Sequence, residues 1–354
     1  MRSPSLEEKS NRESIRVEAV PRCPMCDGLG PVVYEGLRDR YWDAPGVWSY
    51  RRCASCSHLW LDPRPIREDV GKLYASYFTH GIERPDPFTG DGIWPRFRRG
   101  VMHSLGHTSI GRDGTEQLFG RIARLVPPIW EECEELCRSV AGPPRGILLD
   151  VGCGDGTYLR TMQDLGWKVR GLEPDSQAAS VARAQGLDVI EGTIESSLQD
   201  RDAYDVITMT HVIEHVVDPA QALALVRDAL RPGGTLLLIT PNAGSLGHRR
   251  FGASWYHLDP PRHLQLFTVP NLAARTTAAG LDLLRWRTTG RGHLVYDASR
   301  SIDRTGRFDL RDPSRHASRG DQSFRLFEEV FLLAKPDWGE EILLFATKSH
   351  PDGA

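Results

Sequence analysis

Cys23-Pro-Met-Cys26 and Cys53-Ala-Ser-Cys56 are two C-x-x-C units separated by 26 residues. Each unit aims two thiolates at one point, and two units complete a tetrahedral all-thiolate shell with no open position. That is how a structural zinc ion is held. A redox role for either pair needs a helix N-terminus in a thioredoxin-like setting, which neither has. Cys133, Cys137 and Cys153 read as core or loop residues.

A second constellation lies at LLDVGCGDGTYL (148–159), where Gly152, Gly154 and Gly156 follow an apolar run and precede a helical pattern. Glycines let a backbone approach a ligand closely, and the helix N-terminus behind them favours negative charge. A phosphate is the simplest expectation. The loop, however, offers Asp150 and Asp155 and no Lys or Arg. Glu173 ends the next strand, seventeen residues after Gly156, which suits a ribose diol and disfavours a 2′-phosphate. A ligand with a ribose, a positive sulfonium and an amino-acid tail fits better: S-adenosylmethionine.

The elements that position these residues alternate strictly from 146 onward. Strands are expected at 146–150, 167–173, 187–192, 204–210 and 235–242, with helices at TYLRTMQDLG, SQAASVARAQG (closed by Gly186) and DPAQALALVRDALRPGG (stopped by Pro232-Gly233-Gly234). VPNLAARTTAAG and SFRLFEEVFLLAKP read as helices, LDLLRWRTT and EEILLFATK as strands. Such alternation argues a parallel sheet with helices on both faces.

With the glycine turn, GLEPD (171–175), IEGTIE (190–195), YDVITMTHVIEHVVDP (204–219), LRPGGTLLLITPN (230–242) and HLQLFT (263–268), the chain resembles the class I S-adenosylmethionine-dependent methyltransferases, in particular the type 23/type 12-like group. The resemblance implies a Rossmann-like, mostly parallel sheet of seven strands, the last antiparallel. It also implies site residues. Asp150, Gly152, Cys153, Gly154 and Gly156 would line the methionyl moiety and Glu173 the ribose. Thr193 and Ile194 would flank the adenine, and Thr210 and His211 would close over the methionine end.

A hydroxyl or carbon acceptor wants a base, and the candidates form two groups. One is His211-Val-Ile-Glu214-His215. It resembles the E-x-x-E-H element by which ubiquinone-pathway O-methyltransferases hold a divalent ion, but His211 replaces the first Glu, and anchoring of the turn is the favoured role. The other is the loop 254–268, with Tyr256, His257, Asp259, Arg262 and His263. His263 is expected to act as base or to orient the acceptor, with His211 and His215 as the other catalytic candidates. Arg262 either attracts an anionic acceptor group or pairs with Asp259 at the surface.

Composition bounds the rest. The chain has 354 residues, 40% hydrophobic, and a formal net charge of −3, so no global electrostatic case for nucleic acid or anionic membrane exists. The polar N-terminus lacks the apolar core of a signal peptide, and no apolar run approaches the ~20 residues of a membrane span. A cytoplasmic location and reduced thiols are expected. Four regions follow: a disordered tail (1–20), a zinc module (21–66), an irregular linker (67–145) with a Gly/Pro/Arg-rich patch at 81–114 and a helix around LFGRIARLV and IWEECEELCRSV, and the methyltransferase domain (146–350). Segment 21–66 carries six arginines against five acidic residues, weak support for an RNA grip. The expected function is methylation of a small-molecule or glycan-type acceptor, at oxygen rather than carbon, in natural-product or polysaccharide biosynthesis. The alternatives are an RNA methyltransferase and a non-catalytic cofactor-binding scaffold.

Overall fold

The computed structural model describes residues 15–74, 86–142, 146–290, 292–310, 328 and 330–350. The chain folds into two compact units. One holds Met1–Tyr77, Thr210–Leu223 and Leu238–Ala346, the other Phe78–Met209, Ala224–Leu237 and Thr347–Ala354.

The second unit opens its sheet with β1 (Ile147–Val151), β2 (Lys168–Glu173), β3 (Val189–Glu191) and β4 (Tyr204–Thr210). β1 pairs in parallel with β2, Asp150 opposite Gly171, and with β4, Asp150 opposite Thr208. β2 pairs in parallel with β3. Helices Thr157–Asp164 and Ser176–Ala184 link these strands. The first buries Leu159 and Met162, and Asp175 caps the second by accepting the N–H groups of Gln177 and Ala178. β5 (Leu230–Pro241), β6 (Asp282–Thr289) and β7 (Glu341–Thr347) complete a seven-stranded sheet in the order β6-β7-β5-β4-β1-β2-β3. All seven expected strands are present.

β5 begins earlier than expected. Pro232-Gly233-Gly234 follows the end of helix Pro219–Ala229 but stays in the ladder. The Gly233 N–H reaches the Lys348 carbonyl at 2.7 Å, and the Lys348 N–H returns to Gly234 at 3.1 Å. The linker also departs from expectation, because helix Ile93–Ser104 crosses its glycine- and arginine-rich patch. The helix expected around LFGRIARLV is present as Gly114–Ala123, and Gly100, in the patch, meets Gly120 of that helix as a contact point between the two helices. A Cβ on Gly100 would lie 1.9 Å from the Glu116 carbonyl, and one on Gly120 2.1 Å from that of Gly100. Pro95 sits in the first turn, where no N–H is needed, and Phe97 stacks on Phe119 at 4.5 Å.

In the first unit, Val32–Leu37, Trp48–Arg52, Leu59–Leu61 and Gln265–Leu266 form a four-stranded sheet in that order. Its core joins Trp48, Tyr50, Leu59 and Leu61 to Trp255, Leu258, Leu264 and Leu266. The expected zinc module therefore shares one core with the 254–268 loop. Val17–Glu18 pairs with Arg64–Pro65, so the end of the expected disordered tail is a strand, and residues 1–14 lie outside the described residues. Helix Gly292–Thr305 has no counterpart among the expected elements. Of the helix expected at SFRLFEEVFLLAKP, residues 328 and 330–334 are helical, and 323–327 and 329 lie outside the described residues, as do Pro143 and Pro144. Among the described residues no helix is long and apolar enough to cross a membrane.

Candidate active site

The glycine turn follows β1 in the second unit. Gly152, Gly154 and Gly156 have φ of +72°, +55° and +83°, the left-handed region closed to most residues. Their surroundings differ. A Cβ on Gly156 would sit 2.4 Å from Leu187 Cδ1, whereas one on Gly154 would meet nothing within 4 Å. Gly156 serves packing, and Gly154 leaves open space.

Glu173 braces the turn. Its Oε2 accepts the Gly154 N–H at 2.8 Å and its Oε1 the Asp175 N–H at 2.9 Å. Burial raises this carboxyl above its ordinary range, against the lowering effect of the two N–H groups. Each oxygen keeps a lone pair able to receive a ribose hydroxyl. Thr193 caps helix Ile194–Ser197, and Ile194 is buried behind it. The thiol of Cys153 turns to the core, where a Cβ on Gly171 would lie 2.5 Å from its Sγ.

Asp150 is fully buried, and its Oδ1 accepts the Thr208 hydroxyl and Arg138 Nη1, both at 2.7 Å. Its Oδ2 has no partner among the described residues. Burial pushes the carboxyl up, and the Arg138 charge opposes this. Arg138 comes from the linker and lies 3.7 Å above the Tyr158 ring. Nothing in the local sequence announces it. Arg138 and Ser139 both have left-handed backbones, φ +50° and +61°, and neither residue type signals that turn.

In the first unit the four cysteines converge as expected, with Cys23–Cys56, Cys26–Cys53 and Cys26–Cys56 sulfur separations of 3.6, 3.4 and 3.5 Å. Tetrahedral zinc with bonds of about 2.3 Å sets its sulfurs about 3.8 Å apart, so the donor set and spacing fit that ion. Burial raises the Cys53 thiol, but the N–H groups of Cys56 and Ser55 and the neighbouring thiols bring it down to about 7.

The histidines divide by environment. His211 follows β4 with φ +53°. Its Nδ1 meets Glu214 Oε1 at 3.2 Å and its Nε2 meets Glu341 Oε1 at 3.1 Å. Burial disfavours the charge, yet the two carboxylates raise the imidazole to about 10. His211 is thus a fixed cation with no free lone pair, which corrects its candidacy as a base. Glu214 is held at about 2, its burial outweighed by His211, and its Oε2 accepts the Thr240 hydroxyl at 2.9 Å. The Thr210 hydroxyl is buried without a partner among the described residues.

His215 Nδ1 lies 3.0 Å from the Arg262 carbonyl, and His263 Nδ1 lies 2.7 Å from the His257 carbonyl. A carbonyl only accepts, so His263 Nδ1 carries a hydrogen, whereas His215 Nδ1 also lies 2.9 Å from the Tyr74 hydroxyl, which can donate or accept. Burial, reinforced by His263, brings His215 down to about 4. One nitrogen of each ring and one Glu214 oxygen lie within 4.8 Å of one another. Arg262 attracts no ligand. Its guanidinium is fully buried between Asp39 and Asp259, so the expected surface pairing with Asp259 is a buried one with a second acid.

Residues 115–285 match the family model described as "Methyltransferase domain". The chain is 31% identical over 147 residues to a ubiquinone biosynthesis O-methyltransferase of Aeromonas salmonicida, covering 38% of this chain and 62% of that protein. It is 36% identical over 102 residues to the like-named protein of Vibrio atlanticus, covering 27% and 43%. The chain thus spans about half the length of these curated relatives. A solved S-adenosylmethionine-dependent methyltransferase of Mesorhizobium loti aligns over 61% of this chain and 97% of its own, with 15% identity and a TM-score of 0.42.

Proposed function

We propose that this chain, which carries a class I S-adenosylmethionine-dependent methyltransferase domain, methylates an oxygen of a small-molecule or glycan-type acceptor in natural-product or polysaccharide biosynthesis in the cytoplasm. The observation that carries this is the Gly154–Glu173 pair, an open glycine cradle pinned to a buried carboxylate at the end of the second strand. S-adenosylmethionine supplies an electrophilic methyl group on a sulfonium. Glu173 takes the ribose hydroxyls, Gly152 and Gly154 admit the ligand to the backbone, and Thr193 and Ile194 flank the adenine. His263 and His215 act on the acceptor through their Nε2 atoms, receiving or orienting a hydroxyl. His211 holds a fixed positive charge beside them. Cys23, Cys26, Cys53 and Cys56 hold a structural zinc ion. Relatives named O-methyltransferases support the choice of oxygen.

The test is to incubate the protein with methyl-labelled cofactor and host fractions of small molecules, glycans and RNA. Label in the first two that survives nuclease treatment is expected. Label in RNA that vanishes with nuclease would overturn the acceptor assignment, and no label in any fraction would favour a scaffold.

A further inference from the structure

His215 Nδ1 is shared between two oxygens. The Arg262 carbonyl lies 3.0 Å away and the Tyr74 hydroxyl 2.9 Å, and the Tyr74 ring meets the imidazole edge-on at 5.9 Å. With the hydrogen on Nδ1, both oxygens can accept it. With the hydrogen on Nε2, a bare Nδ1 lone pair faces a carbonyl that cannot donate. The segment that delivers Tyr74 is pinned. Tyr74 closes the short helix Arg67–Tyr74, in which Asp69 and Leu73 are buried. The Asp69 carboxylate accepts the Arg16 N–H and Arg16 Nη2, both at 2.8 Å, and Val70 packs against the core of the four-stranded sheet.

A neutral imidazole left to itself prefers the hydrogen on Nε2, so a histidine that acts as a base through Nε2 needs partners that hold the hydrogen on Nδ1. The neighbouring groups are otherwise spent. His263 keeps its own Nδ1 on the His257 carbonyl, and the Glu214 oxygens serve His211 and Thr240. We infer that Tyr74 is a positioning residue for methyl transfer, its hydroxyl joining the Arg262 carbonyl to hold His215 in the Nδ1–H tautomer. This rests on the role of His215 proposed above, and it makes the segment after the cysteine module part of the acceptor side. When the acceptor hydroxyl gives up its proton, Nε2 receives it, and the two oxygens on Nδ1–H share the charge of the imidazolium.

Ring-nitrogen NMR of histidine-labelled protein at neutral pH reads the tautomer without any acceptor. The wild-type His215 signals, identified by their loss in His215→Gln, should show the Nδ1–H form. Tyr74→Phe removes only the hydroxyl. A share of His215 should then move to the Nε2–H form, while His263, on its own carbonyl, stays unchanged. Transfer of label from methyl-labelled cofactor to the host small-molecule and glycan fractions should slow about three- to tenfold, with S-adenosylhomocysteine affinity and melting temperature held. An Nε2–H His215 in the wild type would overturn the inference, as would an unchanged tautomer or an unchanged rate in Tyr74→Phe. A lower melting temperature with the tautomer unchanged would make Tyr74 a brace of its helix and overturn it too. Wild-type protein that transfers no label to either fraction would instead remove the proposed function, and this inference with it.

Discussion

Asp39 and Arg262, 223 residues apart in sequence, form a buried two-point ion pair, with Nη1 on Oδ2 at 2.8 Å and Nη2 on Oδ1 at 2.7 Å. The Asp39 oxygens also accept the N–H groups of Tyr41, Trp42 and Ala44. This pair ties the cysteine-bearing segment to the 254–268 loop. Removing one partner of a buried pair strands the other's charge, at a cost of about 3–5 kcal/mol. Asp39→Ala should therefore lower the urea midpoint strongly, and adding Arg262→Met should recover part of the loss. A shift in Asp39→Ala corresponding to less than about 1 kcal/mol would show that Asp259 alone satisfies Arg262.

The cysteine cluster makes a second prediction. Purified, reduced protein should carry one zinc ion per chain, and Cys53→Ser should release it. Metal and folding are linked in such sites, and Leu59–Leu61 pairs with Gln265–Leu266. The side chains of Asn271 and Arg275 also bond the carbonyls of Cys56, Pro24 and Met25. Metal loss should thus loosen the acceptor-side loop and abolish turnover. Metal-free wild-type protein by elemental analysis would contradict it.

Stability should peak near neutral pH. Burial lowers His58 and His257 to about 3 and His215 and His248 to about 4. The unfolded chain takes up these protons near its ordinary pKa of about 6.5, so stability is lost as pH falls from about 6.5 toward 4. His211 has the opposite sign. Raised to about 10, it contributes stability that is fully present below about 6.5 and lost as pH rises through about 10. Melting temperature against pH should show both limbs, and His211→Asn should flatten the alkaline one. An unchanged alkaline limb would deny the two carboxylates their effect.

His263 tests the acceptor side. His263→Asn keeps a donor for the His257 carbonyl and removes the Nε2. If that nitrogen acts on the acceptor, kcat should fall about 10²–10⁴-fold, with melting temperature and cofactor affinity held. A fall in melting temperature with near-normal kcat would make His263 a brace of the loop and pass the role to His215.

The sheet is legible in the sequence because its signal is local. Apolar runs such as ILLDV and LLLIT, glycine stops and the pattern around Leu159 and Met162 each act within a few residues. The cysteine pairs are legible because metal chemistry fixes ligand type and spacing. Helix Ile93–Ser104 is hidden because Gly100 serves close helix contact, while in sequence it resembles loop punctuation. The burial of Arg262 is hidden because one of its two acidic partners, Asp39, is 223 residues away, beyond any local pattern. His211 reads as a base in sequence because Glu341, its second carboxylate, arrives only with the last strand. Arg138 escapes notice because two successive left-handed, non-glycine residues have no sequence signature.

The central claim is that the Gly154–Glu173 site binds an S-adenosyl ligand, and calorimetry with S-adenosylhomocysteine and with NAD tests it most directly. Wild-type protein should bind the first and show no measurable affinity for the second. Glu173→Ala should weaken S-adenosylhomocysteine by about ten- to a hundred-fold, the worth of a charged hydrogen bond of about 1.5–3 kcal/mol. Part of that loss will come from the unpinned Gly154 N–H, since Glu173 also holds the turn. Unchanged affinity in Glu173→Ala, or equal affinity of the wild type for NAD, would contradict the assignment.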